Sequence, residues 1–381
     1  MLTTFGRTTD FIVHRKDLSQ CKFVSAEIET DLKPGQVLLK VDKFALTANN
    51  ISYALIGEAL GYWDFFPVAE KTWGRIPAWG FAEVVRSKKD SVVEGDRVFG
   101  FVPMSTNFIL QPDAVSQEGF IDTSPHRSKF SPLYNQYQLL KHNPLYVPEH
   151  EDLWALFWPL FMSAFVLSEF LNENNFFGAQ AILISSASSK TAIGLAFLLS
   201  QKRSSECQVI GLTSSGNLSS VENLGYYSQV LTYDQMQLLP NNLSLVYVDI
   251  AGDGDVLSNL YYYFHNIRYS CLLGATHRKR RSSLEINSML PDPRPIFFFA
   301  PEEIQKRVQQ LGVNDFHKSF GHSWSQFLLS ISQWIQIVSG TGKIIVEKTY
   351  LDILAGYLRP NQGYMLSLNS ELGCPKLTAK G

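Results

Sequence analysis

The chain has 381 residues, 45% of them hydrophobic and 13% aromatic, enough for a sizeable core and for two domains, which excludes global disorder. Its 33 basic and 35 acidic residues leave a net charge of −2, so charge gives no reason to expect a nucleic-acid partner. Four scattered cysteines (Cys21, Cys207, Cys271, Cys374) form no C-x-x-C pair and fit a reducing cytosol better than a disulfide framework.

The opening "MLTTFGRTTDFIVHRKDLSQ" lacks the apolar core of a secretory signal, which makes a cytoplasmic location the expectation. Residues 1–145 read as β-rich: "PGQVLLKVDKFAL" (34–46), "GFAEVVRS" (80–87) and "GDRVFGFVPM" (95–104) are β-branched or aromatic runs broken by Gly, Pro and Asp. The loop after the first run, "LTANNISYALIGEALGYWDFFP" (46–67), is dense in polar and aromatic groups. Asn49, Asn50, Ser52, Tyr53 and Tyr62 could line a substrate pocket with Trp63, Phe65 and Phe66 as its apolar wall, or these aromatics could be ordinary core. The greasy stretch 153–167 is shorter than the ~20 residues of a membrane span and contains Pro159, so it reads as a buried helix with no membrane partner.

Strands then alternate with helical segments. "AILISS" (181–186), "CQVIGLT" (207–213), "SLVYVDIAG" (244–252), "YSCLLGATH" (269–277) and "PIFFFAP" (295–301) read as strands of a parallel sheet, with helices at 191–202 and 254–266. "HSWSQFLLSISQWIQIV" (322–338) reads as a helix and "GKIIVE" (342–347) as a last strand.

This order resembles the medium-chain dehydrogenase/reductase superfamily, in its zinc-free, quinone oxidoreductase-like branch. "KPGQVLLKVDKFALTANN" is similar to its opening strands, and "VEGDRVFGF" to its V-G-D-R-V signature. "IPAWGFAEVV" stands where the superfamily has G-H-E, and "GKIIVE" resembles its closing G-K-V-V strand. The resemblance implies an α/β chain: a GroES-like β-rich catalytic domain (1–145), a Rossmann-type doubly wound domain (146–317), and a return segment (318–381) completing the first. Phe81 occupies the place of the metal-binding histidine and no cysteine lies in the "LTANN" loop, so no metal is expected.

"ILISSASSKTAIGLAFLLS" (182–200) is a strand, a turn and a helix start, the arrangement that binds a dinucleotide pyrophosphate. The superfamily's three glycine-type positions fall here on Ser186, Ser189 and Ala192. Hydroxyls of Ser185, Ser186, Ser188, Ser189 and Thr191, with the Lys190 cation, could hold a phosphate in place of bare backbone; alternatively, the serines only cap the helix. No G-x-x-x-x-G precedes "SKT", so a phosphate loop of the Walker type is excluded. The second strand ends in Thr213, Ser214, Ser215 and Asn217, where NAD-binding proteins place a carboxylate. NADP(H) is therefore the expected cofactor.

By the superfamily's layout the nicotinamide lies near Asp249 and the strand end at Gly274; His277 could bind substrate or cofactor or only hydrogen-bond its own loop, and Arg278 could meet the substrate. "RKRR" (278–281) is a solvated loop or a guard that favours an anionic substrate. In the superfamily's enoyl reductases a tyrosine follows the loop Asn, which points to Tyr62, then Tyr53, as proton donor, with Asn49 and Ser52 alongside. The expected activity is NADPH-dependent reduction of a carbonyl or activated alkene: an enone, a quinone or an enoyl thioester. The rival is a relative that has lost catalysis and binds a small molecule or a protein. An exposed edge at "PIFFFAP" would favour a homodimer.

Overall fold

The β-branched runs of the first 140 residues pair as antiparallel strands in the computed structural model, which describes residues 5–202, 207–273 and 286–369. Two compact units emerge: residues 1–156 with 336–358 and 362–381, and residues 157–335 with 359–361. These compact units divide at 156/157 and 335/336, with residues 359–361 in the second.

In the first unit, β1 (Phe5–His14) pairs with β2 (Cys21–Glu29) and β4 (Trp73–Gly74). A nine-stranded sheet follows the path β17 (Gln336–Thr341), β18 (Gln362–Ser367), β3 (Val37–Leu46), β5 (Pro77–Ser87), β6 (Arg97–Pro103), β10 (Gln136–Leu139), β9 (Gly119–Asp122) and β8 (Pro112–Asp113). A further strand, β7 (Asn107–Leu110), pairs with β3. Gly80 of "WGF" sits opposite Phe44, where a Cβ would lie 2.5 Å from the Lys43 carbonyl oxygen. The glycine is there because β3 and β5 approach too closely for any side chain.

"GKIIVE" is not a strand. Residues Lys343–Ala355 form a helix, with Val346, Thr349, Tyr350 and Ile353 on its buried face. The Tyr350 hydroxyl donates to the Leu18 carbonyl at 2.8 Å. The closing strand is β18, antiparallel to β3 and parallel to β17. The helix expected at 322–338 runs instead from Val313 to Ile331, and its last expected residues belong to β17.

The second unit holds a six-stranded sheet in the order β13 (Gln229–Thr232), β12 (Gln208–Thr213), β11 (Ala181–Ile184), β14 (Leu245–Asp249), β15 (Ile267–Leu272) and β16 (Ile296–Phe297). Every pairing is parallel. All residues of β11 and β14 are buried, as expected for central strands covered on both faces. Strand order reverses between β11 and β14, the position where doubly wound sheets take ligands. "PIFFFAP" contributes only Ile296–Phe297, because Ala300 already opens a helix to Leu311 with Pro301 in its first turn.

The helix Glu151–Glu173 is long and apolar enough to cross a membrane by composition, yet 72% of its apolar window is buried. From Phe157 onward its rings pack against the helix Val313–Ile331. Trp158 meets Phe320 at 4.6 Å and Phe161 stacks on Phe327 at 4.6 Å. It is a core helix.

Candidate functional site

At the reversal point of the parallel sheet, Ser185 and Asp249 form a buried clamp. The Ser185 hydroxyl donates to Asp249 Oδ1 at 2.8 Å and accepts from the Ile250 and Ala251 amides at 2.9 Å. Asp249 also accepts from the Gly252 amide at 3.1 Å and from the Tyr247 hydroxyl at 3.4 Å. Both residues are fully buried. Asp249, expected beside the nicotinamide, serves the loop geometry with its carboxylate turned inward.

The turn after β11 adopts the conformation that a glycine usually supplies. Ser186 has φ of +51°, in the left-handed region that L residues rarely adopt. Two tyrosines hold it there. The Ser186 amide donates to the Tyr233 hydroxyl at 2.9 Å, and the Tyr227 hydroxyl donates to the Ala187 carbonyl at 2.9 Å. The Tyr227 ring and the Ala187 methyl fit only because residue 211 is glycine: a Cβ there would lie 2.8 Å from the Ala187 Cβ and 3.0 Å from the ring.

Ser189 accepts from the Ala192 amide at 3.3 Å, the capping contact that the alternative reading of the turn anticipates. Ser188 accepts from Asn217 Nδ2 at 3.1 Å, joining the end of β11 to the end of β12. Lys190 and Thr191 open the following helix, both partly buried. Burial pulls the Lys190 ammonium down to about 8, and Nζ lies 5.9 Å from the Phe157 ring centre. Beyond β12, Ser214 and Ser215 are exposed, whereas Thr213 is buried with its hydroxyl unpaired.

In the first unit the loop after β3 is a helix, Ala48–Leu55, capped by Thr47. Asn50 is spent on that cap: Oδ1 accepts from the Thr47 amide at 2.8 Å and Nδ2 donates to the Pro77 carbonyl at 2.9 Å. Ser52 is buried on the same helix. Tyr53 and Tyr62 lie 4.6 Å apart in an aromatic cluster with Phe65, Phe101 and Tyr134. The Tyr53 hydroxyl accepts from Trp79 Nε1 at 3.1 Å and hydrogen-bonds with Asn49; the Tyr62 hydroxyl meets that of Tyr134 at 2.8 Å. Burial pushes both phenols well above the ordinary tyrosine value, so both keep their protons at neutral pH. Arg127, itself buried against Asp122 at 3.0 Å, donates to the Tyr134 carbonyl at 2.7 Å.

The structure therefore gathers Ser186, Ser188, Ser189, Lys190, Thr191, Ser214, Ser215 and Asn217 around two adjoining strand ends, and Asn49, Asn50, Ser52, Tyr53 and Tyr62 around one capped loop. Gly274, His277, Arg278 and the rest of "RKRR" lie outside the described residues. Sequence reasoning missed Tyr227, Tyr233, Tyr134 and Trp79. The sequence signal for the first two was "YYSQVLTY", whose tyrosines bracket β13. Among the described residues, no three His, Cys, Asp or Glu side chains gather as metal ligands.

A family model described as "Protein of unknown function (DUF2855)" matches residues 44–359. A search of curated proteins finds no match. Among solved structures, CurA in complex with NADPH from Vibrio vulnificus is similar, with a TM-score of 0.60 at 11% identity over 95% of this chain and 100% of that one. The enoyl thioester reductase from Candida tropicalis, in a mutant form, scores 0.54 at 13% identity over 95% and 99%. The quinone oxidoreductase from Coxiella burnetii scores 0.53 at 15% identity over 95% and 99%. At these identities the likeness is one of fold, and the fold is that of the medium-chain dehydrogenase/reductases: a GroES-like β-rich domain with a Rossmann-type sheet.

Proposed function

The chain belongs to the DUF2855 family, and from that premise and its oxidoreductase fold we propose that it is a zinc-independent, NADP(H)-dependent reductase of the cytoplasm. Its substrate would be a carbonyl or activated alkene. One observation carries this reading: a strand–turn–helix at the reversal point of the parallel sheet, beside a second strand end rimmed with hydroxyls and no carboxylate. The residues fit a dinucleotide. Thr213 keeps an unpaired buried hydroxyl beside the exposed Ser214 and Ser215, which suits a 2′-phosphate better than a diol. Ser188, Ser189 and Lys190 would hold the pyrophosphate, and the bound nicotinamide would supply a hydride.

On the substrate side, the chain's own task is to stabilise oxygen charge as it develops. Tyr62 and Tyr53 remain protonated and can donate, Tyr62 through its shared hydrogen bond with Tyr134. Tyr62 or water would protonate the product.

A non-catalytic relative that only binds a small molecule or a protein is the second reading. Serine at the glycine-type positions 186 and 189 favours it, because a Cβ there limits how closely a phosphate approaches the backbone. Screening enones, quinones and acyl thioesters for oxidation of NADPH separates the two. A reductase oxidises NADPH with at least one class, and Tyr62→Phe slows that turnover by about 10²-fold while leaving NADPH affinity intact. If NADPH binds but no class oxidises it, the binding reading stands instead. Full turnover in both Tyr62→Phe and Tyr53→Phe would remove the tyrosines from the chemistry.

A further inference from the structure

The superfamily's turn works because glycine enters the left-handed region without strain, yet this chain places serine there and still adopts φ of +51°. Something outside the turn must hold it. Three contacts converge on it from the β12–β13 side of the sheet. Tyr233 accepts the Ser186 amide, Tyr227 donates to the Ala187 carbonyl, and Gly211 leaves the notch in which the Tyr227 ring and the Ala187 methyl meet. One hydroxyl takes a backbone proton and the other gives one, on consecutive residues. Together they hold the peptide groups on either side of the Ser186–Ala187 link.

We propose that Tyr227 and Tyr233 are positioning residues that replace the missing glycine, clamping the serine turn in the shape that receives the cofactor's pyrophosphate. This rests on the nucleotide reading above and deepens it. The tyrosines act through the turn: with the clamp released, Ser186 relaxes towards negative φ, and the Ser188 and Ser189 hydroxyls move off the phosphate position. Glycine at 186 has no such preference, so the same release costs little there. The clamp also explains why the sheet carries glycine at 211, in mid-strand, where it otherwise weakens a strand.

The test is a set of NADPH titrations, followed by nicotinamide fluorescence at fixed salt, on the full chain. The variants are Tyr227→Phe, Tyr233→Phe, both together, Ser186→Gly, and the triple variant. Melting without ligand is recorded for each. Each Tyr→Phe change keeps the ring and should raise Kd about three- to tenfold, the factor expected for one neutral hydrogen bond. In the Ser186→Gly background the same changes should raise Kd less than about twofold, by the non-additivity of residues acting on one turn. A merely structural role would lower melting without this dependence on residue 186. Wild-type affinity in the double Phe variant overturns the clamp, and so does an equal loss in both backgrounds. If the wild-type chain binds no NADPH, the nucleotide reading falls and the clamp's purpose with it; loss confined to the variants leaves that reading untouched.

Discussion

Lys190 is the cation nearest the turn, and its burial makes its charge depend on pH. Its folded value of about 8 lies below the ordinary 10.5, so between those limits the unfolded chain binds more protons than the native one. Ligand-free stability should therefore rise as pH climbs from about 8 to 10.5, and Lys190→Met should abolish that rise in calorimetry. The opposite trend applies to the cofactor: a phosphate prefers the charged form, so NADPH Kd should increase above pH 8 in the wild type and stay flat in Lys190→Met. Glu151 titrates at the other end of the scale. Burial pushes its carboxyl up, but hydrogen bonds from Arg97, Tyr146 and Lys43 outweigh that and leave it at about 2. Its contribution is full above pH 4.5 and is lost as pH falls towards 2, so Glu151→Gln should flatten acid unfolding in that window. The hydroxyls at the turn were legible in the sequence because they lie in one contiguous stretch. Tyr227 and Tyr233 were not, since their roles depend on β13 lying beside β12.

Strands and helices were read correctly wherever hydrophobic period and length agreed, as in β11, β12 and β14. "GKIIVE" failed because Ile344, Ile345 and Val346 look like a strand when taken alone. The deciding pattern was longer: Val346, Thr349, Tyr350 and Ile353 recur at helical spacing and bury one face. "PIFFFAP" failed for a local reason, the helix start at Ala300 and Pro301. Gly80 was noticed for its resemblance to a metal-binding segment, yet its physical role is contact between β3 and β5. Gly80→Ala should destabilise the chain by about 1–3 kcal/mol in denaturant unfolding, because its Cβ would meet the Lys43 carbonyl oxygen at 2.5 Å. A neutral result would mean that the two strands can part without cost.

Among the described residues the parallel sheet pairs β16 on one side only, and Ile296 and Phe297 are 58% and 43% exposed. Such an edge invites a second copy, so the chain should sediment as a homodimer and Ile296→Lys with Phe297→Lys should yield monomers. A wild-type monomer at micromolar concentration would contradict that expectation and leave the cofactor site unaffected. The proposed NADP(H) site rests on the reversed strand order and on a hydroxyl rim at Thr213, Ser214 and Ser215. Titration of the purified protein with NADPH and NADH, read as thermal shift, puts this to the test. Saturating NADPH, at about 100 times its Kd, should stabilise the chain by about 2.7 kcal/mol, and NADH should do so less. Ser214→Asp should abolish the preference by placing like charge against the 2′-phosphate. Unchanged melting with both nucleotides at millimolar concentration would contradict it.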